Sequence, residues 1–347
     1  MLISADHIKP VIRPNEKRGE LGVFNPGGWS DPRSGANYLL YRVADRSKAT
    51  HLALAIAAHN DAHFETGLPV NIEVATGNAQ QDTFIRSALR RSTEDARYLT
   101  LPNDDSLYVS LVGLCYPPYA TGQVAVSVLA KVLNDHQTLR VVELLTPDER
   151  DDRGVVPLPQ KVGEQFVLLS RPQRPLTDQG LKQTRYVDWY TGNASSIYYT
   201  RTTDLTTRPN DRPLLCPARE WEQSIGGVGP QPILLRDGRW LIIYVGKSEH
   251  LHYSVGAAVV ERDPITFEIF VLARTPEPIV TPNETFNRRY RKASASGGFG
   301  TNNVIFPETC FLNKDTLIFY VGCNDRAVGE FSLPLKEVLD SMDACTP

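Results

Sequence analysis

The sequence predicts an all-β chain folded as a five-bladed β-propeller, and three observations carry that expectation. Apolar and aromatic runs of strand length recur along the chain, each is followed by a second such run, and Pro, Gly, Asn and Asp separate them with almost no helical periodicity. The first runs are YLLYRV from Tyr38, LYVSLVG from Leu107, QFVLLS from Gln165, RWLIIYVG from Arg239 and TLIFYVG from Thr316. Their partners are HLALAIAA from His51, QVAVSVLA from Gln123, SIYYTRTT from Ser196, YSVGAAVVE from Tyr253 and AVGEFSL from Ala327. The markers Tyr38, Tyr108, Phe166, Trp240 and Leu317 are spaced more widely than the ~40–45 residues of a WD40 blade, so long loops must absorb the difference. Radially repeated sheets suit this pattern better than a two-sheet sandwich, which stays open as the alternative because spacing alone does not show closure. Residues 1–347 read as one domain. The exceptions to strand patterning are Phe84 to Arg91, a helical turn, and LPLKEVLDSM at 333–342, a short amphipathic helix.

Ahead of each pair stands a third segment rich in Gly, Pro or polar residues: VFNPGG (Val23 to Gly28), STEDARYL (Ser92 to Leu99), VPLPQKV (Val156 to Val162), GGVGPQPILL (Gly226 to Leu235) and NNVIFPETC (Asn302 to Cys310). The first strand of a propeller blade lines the central channel. These segments therefore converge at the axis, where a small-ligand pocket is expected.

Composition excludes several other classes. The 347 residues are 41% hydrophobic and 22% charged with a net charge of -3, which offers no field for a nucleic-acid backbone or an anionic membrane. Five scattered cysteines without CxxC spacing read as free thiols in a reducing compartment. The start MLISADHIKPVIRP has no apolar core behind a basic head, and no run of about 18 apolar residues occurs, so a cytoplasmic location is expected. The pairs His59/His63 and His250/His252 lack a third ligand in sequence, and no metal or cofactor is expected. The glycines of SASGGFGTNN lack the GK[ST] of a phosphate-binding loop.

The converging segments resemble glycoside hydrolase family 130, the mannosyl phosphorylases and mannosidases. The series reads FNPG (Phe24 to Gly27), LLYR (Leu39 to Arg42), EDAR (Glu94 to Arg97), SRP (Ser170 to Pro172), GVGPQPI (Gly227 to Ile233) with RWLIIYVG, VIFP (Val304 to Pro307) and YVGCND (Tyr320 to Asp325). Each motif is weak; their order and spacing make the match specific. By position the resemblance implies that Asp95 is the general acid and that Asn25, Arg42, Phe306 and Asp325 line the sugar pocket; Arg97, two residues from the acid, is a further substrate-binding candidate, its alternative role being only to position the acid. Ala96 stands where the family has proline. Inversion at a glycosidic carbon needs such an acid and a nucleophile on the opposite face, either water or phosphate. The resemblance implies a phosphate clamp of two arginines, a lysine and a histidine. Arg171 and Arg201 fill the arginine positions, whereas the lysine position falls on Ser224 or Ile225 and the histidine position is Val245.

With half the clamp gone, the expected reaction is hydrolysis of β-mannosides or related oligosaccharides. Water then needs a base, for which Glu222, Glu249 and Glu308 are candidates; strand alternation returns Glu308 to the side of Phe306. Two alternatives stand. One is a phosphorylase using inorganic phosphate as co-substrate, held by Arg171, Arg201 and the basic run Arg288 to Lys292. The other is a non-catalytic sugar-binding propeller. The expected partner is an oligosaccharide or small glycoside; a homo-oligomer is compatible with the sequence.

Overall fold

A computed structural model of the protein describes residues 1–45, 50–58, 63–116, 123–133, 136–146, 150–175, 186–291 and 301–345. It is mostly β. Each Gly- or Pro-marked segment contributes the first strand of a sheet, and each pair of apolar runs supplies the next two. The first sheet runs Glu20–Ser30, Asn37–Asp45, Thr50–Ala57, Glu65–Pro69. The second runs Thr93–Leu101, Asp104–Cys115, Val124–Val132, Thr138–Leu144, with Asn71–Val74 added in parallel at its edge. Val156–Pro157, Phe166–Ser170, Ile197–Thr202 and Arg212–Leu215 make the third. Ser224–Val228, Trp240–Lys247, Tyr253–Arg262 and Ile269–Arg274 lead the fourth. The fifth has Ile305–Asn313, Thr316–Cys323 and Ala327–Pro334, and its outer strand is Lys9–Ile12. A small separate sheet joins Asp151–Asp152, Pro172–Pro175 and Tyr186–Asp188.

The second strands read as unbroken apolar runs because both faces are covered. From Leu39 to Ala44 and from Trp240 to Gly246 every residue is buried. The covering comes from neighbouring sheets. Leu40, Leu52 and Leu54 of the first pack with Tyr98, Val109 and Val128 of the second. Leu99 and Leu129 meet Leu168, Tyr199, Ile225 and Ile242, which joins the second, third and fourth. Leu241 and Val255 meet Phe319 and Val321 of the fifth, whose Tyr320 and Val328 pack with Val23 and Tyr41 of the first. At about 25 cal/mol per Å² of apolar surface removed from water, these seams supply the main cohesion.

The helix expected at Phe84 to Arg91 begins earlier, at Ala79. Asn78 caps it, accepting from the Gln80 and Gln81 amides at 3.1 Å each, and the polar first turn AQQD carries no apolar signal to betray it. The second helix is Leu335–Asp340; Leu333 and Pro334 belong to the preceding strand. No helix among the described residues is long and apolar enough to cross a membrane.

Candidate active site

Four of the five first strands break register, between Phe24 and Gly27, Glu94 and Arg97, Ile225 and Gly227, and Pro307 and Thr309. A bulge leaves a residue unpaired and re-aims its side chain. Asn25 (φ 48°) and Asp95 (φ 50°) occupy two of these bulges in the left-handed region, which Asn and Asp tolerate better than most residues. Gly27 permits the close approach of the two strands: a Cβ there would collide with the Ala96 carbonyl.

The bulges bring Asn25 and Asp95 together. Asn25 Nδ2 donates to Asp95 Oδ1 at 3.0 Å, and Arg42 Nη1 donates to the same oxygen at 2.9 Å. Arg42 Nη2 donates to Glu94 Oε1 at 2.7 Å, and the guanidinium lies 4.6 Å from the Phe24 ring centre. Burial pushes the Asp95 carboxyl up, but Arg42, Arg97, the Asn25 hydrogen bond and Arg153 outweigh it and hold the group below its ordinary value. For Asp325 (φ 51°) burial wins over Arg42, with Asp95 and Glu94 adding to it, and the carboxyl rises to about 6.

Arg97 is almost wholly buried. Its Nε donates to Gly229 O at 2.8 Å, Nη1 to Asp95 O at 2.9 Å, and Nη2 to Val228 O at 3.3 Å and Glu308 Oε1 at 3.0 Å. Glu308 is equally buried, and its Oε2 has no hydrogen-bond partner. Burial pushes its carboxyl well above the ordinary range despite Arg97.

These groups border a cavity of about 820 Å³ whose wall includes Asn25, Arg42, Asp95, Arg97, Phe306, Arg153, Arg171, Lys247, Tyr186 and Tyr253. The volume falls in the range of small-ligand pockets. Arg153 lies 3.5 Å from Asp151 and 3.9 Å from Glu94, with Tyr186 facing its guanidinium at 5.7 Å. Arg171 is less satisfied: its buried Nε has no partner, and burial together with the nearby Arg153 lowers its pKa. Lys247 stands 5.5 Å from the Tyr253 ring and is in register with Ser224 on the neighbouring strand. Val245 is fully buried.

Several expected site residues lie elsewhere. Arg201 is engaged by Gln165 Oε1 and Thr266 O, both at 3.0 Å, and by Glu268 at 3.7 Å, away from the cavity wall. Glu222 is sealed inside the fourth sheet, accepting from Tyr244 and Arg274. Glu249 is exposed. Glu308 does not share the cavity with Phe306, because the bulge between Pro307 and Thr309 breaks the alternation that would have returned it there. Asp325 acts on Arg42 without forming part of the wall. In the basic run, Arg288 faces Glu284 at 3.8 Å and Arg289 donates to the Asp6 and Ile8 carbonyls; Lys292 and 293–300 lie outside the described residues, as does His59. Among the described residues no group of three His, Cys, Asp or Glu side chains could hold a metal ion.

Conversely, Arg153 and Lys247 escaped the sequence reading. Arg153 sits in DERDDRG, which looks like solvated surface, and Lys247 directly follows the YVG run. The alternation of Val245 and Lys247 on one strand was the one signal available.

The model of glycoside hydrolase family 130, described as beta-1,4-mannooligosaccharide phosphorylase, matches residues 197–344. A beta-1,2-mannobiose phosphorylase of Listeria innocua is 27% identical over 201 residues, 58% of this chain and 48% of the relative. A 1,2-beta-oligomannan phosphorylase of Thermoanaerobacter is 27% identical over 182 residues, 52% of this chain and 50% of the relative. The chain thus spans about half the length of the curated relatives it matches. Over the whole fold, the structure of the Listeria beta-1,2-mannobiose phosphorylase with beta-1,2-mannobiose superposes with a TM-score of 0.67 at 19% identity, covering 96% of each chain. Together with the motif series from FNPG to YVGCND, these matches make the chain similar to glycoside hydrolase family 130.

Proposed function

We propose that the chain is an inverting glycoside phosphorylase acting on β-mannosides, built as a single five-bladed β-propeller domain whose first strands surround the cavity. The cyclic sequence of seams between the five sheets supports the propeller. One observation carries the choice of phosphate over water: the cavity wall holds Arg171, with an unpaired buried nitrogen, beside Arg153 and Lys247, while Glu222 and Glu308 lie outside it. Arg153 is partly neutralised by Asp151 and Glu94, but the unpaired Nε of Arg171 beside it still calls for an acceptor, and charge-assisted hydrogen bonds from two guanidinium groups suit phosphate oxygens. Arg153 and Lys247 thereby stand in for the clamp residues absent at Ser224 and Val245. Phosphate is nucleophilic as it stands, so no second carboxylate is required. The relatives named as mannoside phosphorylases support the same reading.

In this mechanism Asp95 protonates the leaving oxygen while phosphate attacks the anomeric carbon from the opposite face, releasing a sugar 1-phosphate. Asn25, Arg42 and Phe306 shape the sugar site, with Asp325 acting on it through Arg42. Arg153 is among the cations that hold Asp95 ionised in the free protein. Bound phosphate offsets that charge and favours the protonated acid when the nucleophile arrives. The test is turnover of β-linked manno-oligosaccharides with and without inorganic phosphate, with products separated by anomer. Sugar 1-phosphate formed only with phosphate is expected; phosphate-independent release of free sugar overturns the reading.

A further inference from the structure

Arg97 spends every nitrogen of its guanidinium on protein acceptors. Those acceptors belong to three structural segments: the carbonyl of Asp95 in its own bulge, the carbonyls of Val228 and Gly229 at the end of the fourth sheet's first strand, and the carboxylate of Glu308 in the bulge of the fifth's. With 1% of its surface exposed, Arg97 has no hydration to fall back on. Its one hydrogen-bonded carboxylate is Glu308, which is itself shut away from the cavity. Asp95 holds a left-handed backbone at φ 50°, which an Asp tolerates at some cost, so the contacts made by its carbonyl help to hold it there.

We infer that Arg97 and Glu308 form a positioning device, in which Glu308 anchors the Arg97 guanidinium and Arg97 clamps the Asp95 carbonyl, so that the carboxyl of Asp95 is aimed at the cavity. Glu308 is thus neither a base for water nor a sugar ligand. What it supplies is an acceptor oxygen at a fixed point. The groups facing it are Arg97, Asp95, Arg42 and Glu94. A misplacement of the acid by about 1 Å costs on the order of 100-fold in rate with little effect on ground-state binding.

This inference rests on the proposed reaction only for its kinetic readout. Glu308→Ala removes the anchor: kcat should fall roughly 10- to 100-fold while KM for the mannoside stays within about threefold. Glu308→Gln keeps an amide oxygen for Arg97 and should bring kcat back to within about fivefold of wild type. A base would behave oppositely, since glutamine cannot take a proton. Equal, deep losses in the Ala and Gln variants overturn the inference, as does wild-type turnover in Glu308→Ala. Should the alanine variant not fold, the glutamine variant alone decides, a 100-fold loss refuting the device. Amide hydrogen exchange over residues 93–97 provides a readout independent of substrate: faster in Glu308→Ala and restored in Glu308→Gln, even if wild type proved inactive on mannosides. Unchanged exchange in Glu308→Ala also overturns the inference.

Discussion

Replacing Arg171 by Met should separate stability from function in opposite directions. In the free protein the Arg171 cation is disfavoured twice, by burial and by Arg153, and its Nε has no partner. Methionine keeps much of the apolar stem without the charge, so the unliganded variant should be more stable by on the order of 1 kcal/mol. With phosphate that advantage disappears. Wild type at ten times its Kd gains about 1.4 kcal/mol from binding. At about 2.1 cal/mol/K per residue over 347 residues, that gain raises Tm by about 2 °C. Loss of one charge-assisted contact, about 1.5–3 kcal/mol, weakens phosphate about 10- to 150-fold. The phosphate-induced rise should therefore shrink to about 0.6 °C or less in the variant at the same concentration. Thermal unfolding of both proteins across a phosphate titration, paired with KM for phosphate, measures this. A variant that responds to phosphate as wild type does, or is less stable than wild type without it, refutes the reasoning.

Glu222→Ala leaves Arg274 buried without its carboxylate and should cost about 3–5 kcal/mol, a fall in Tm of about 4–7 °C, with turnover per folded molecule retained; turnover lost well below the melting range would return Glu222 to the chemistry. Because the Asp325 carboxyl is raised to about 6 when folded, the native state holds its proton between pH 4 and 6 while the unfolded chain has released it. That group's contribution to stability therefore declines as pH climbs through this window, and Asp325→Asn should flatten the slope measured by denaturant titration; an unaltered slope counts against it. Gly227 has φ 150°, and a Cβ there would sit 3.6 Å from Phe306 and 3.7 Å from Arg171 Nε. Gly227→Ala should cost on the order of 1–3 kcal/mol from backbone strain and raise KM for phosphate, and a variant unchanged in both measurements would be contrary to the geometry.

The sheets were largely legible because a buried strand must be apolar and its ends must turn, which leaves runs such as RWLIIYVG bounded by Gly and Asp. The site was half legible. Asn25, Arg42, Asp95 and Phe306 stand on motif-bearing strands and line the cavity. Glu308 does not, because period-two alternation presumes an unbroken strand and a bulge adds a residue that no composition signal marks. Arg201 illustrates a different difficulty: a cation on the strand Ile197–Thr202 can serve the cavity or a neighbouring Glu268, and sequence gives no distance to either. Of the anion wall only Arg171 stood out in the sequence; Arg153 and Lys247 stayed hidden because only the folded chain brings them to its cavity.

The outer strand of the fifth sheet carries a consequence for how the molecule is made. Lys9 pairs with Glu330 and Pro10 with Gly329, so this strand leaves the ribosome 321 residues ahead of its partner (330 minus 9). At about 5–20 residues per second it waits roughly 16–64 s as an unpaired edge. Lys9 and Pro10 are suited to that delay, since a charge and a residue with no amide hydrogen both discourage a second nascent chain from annealing there.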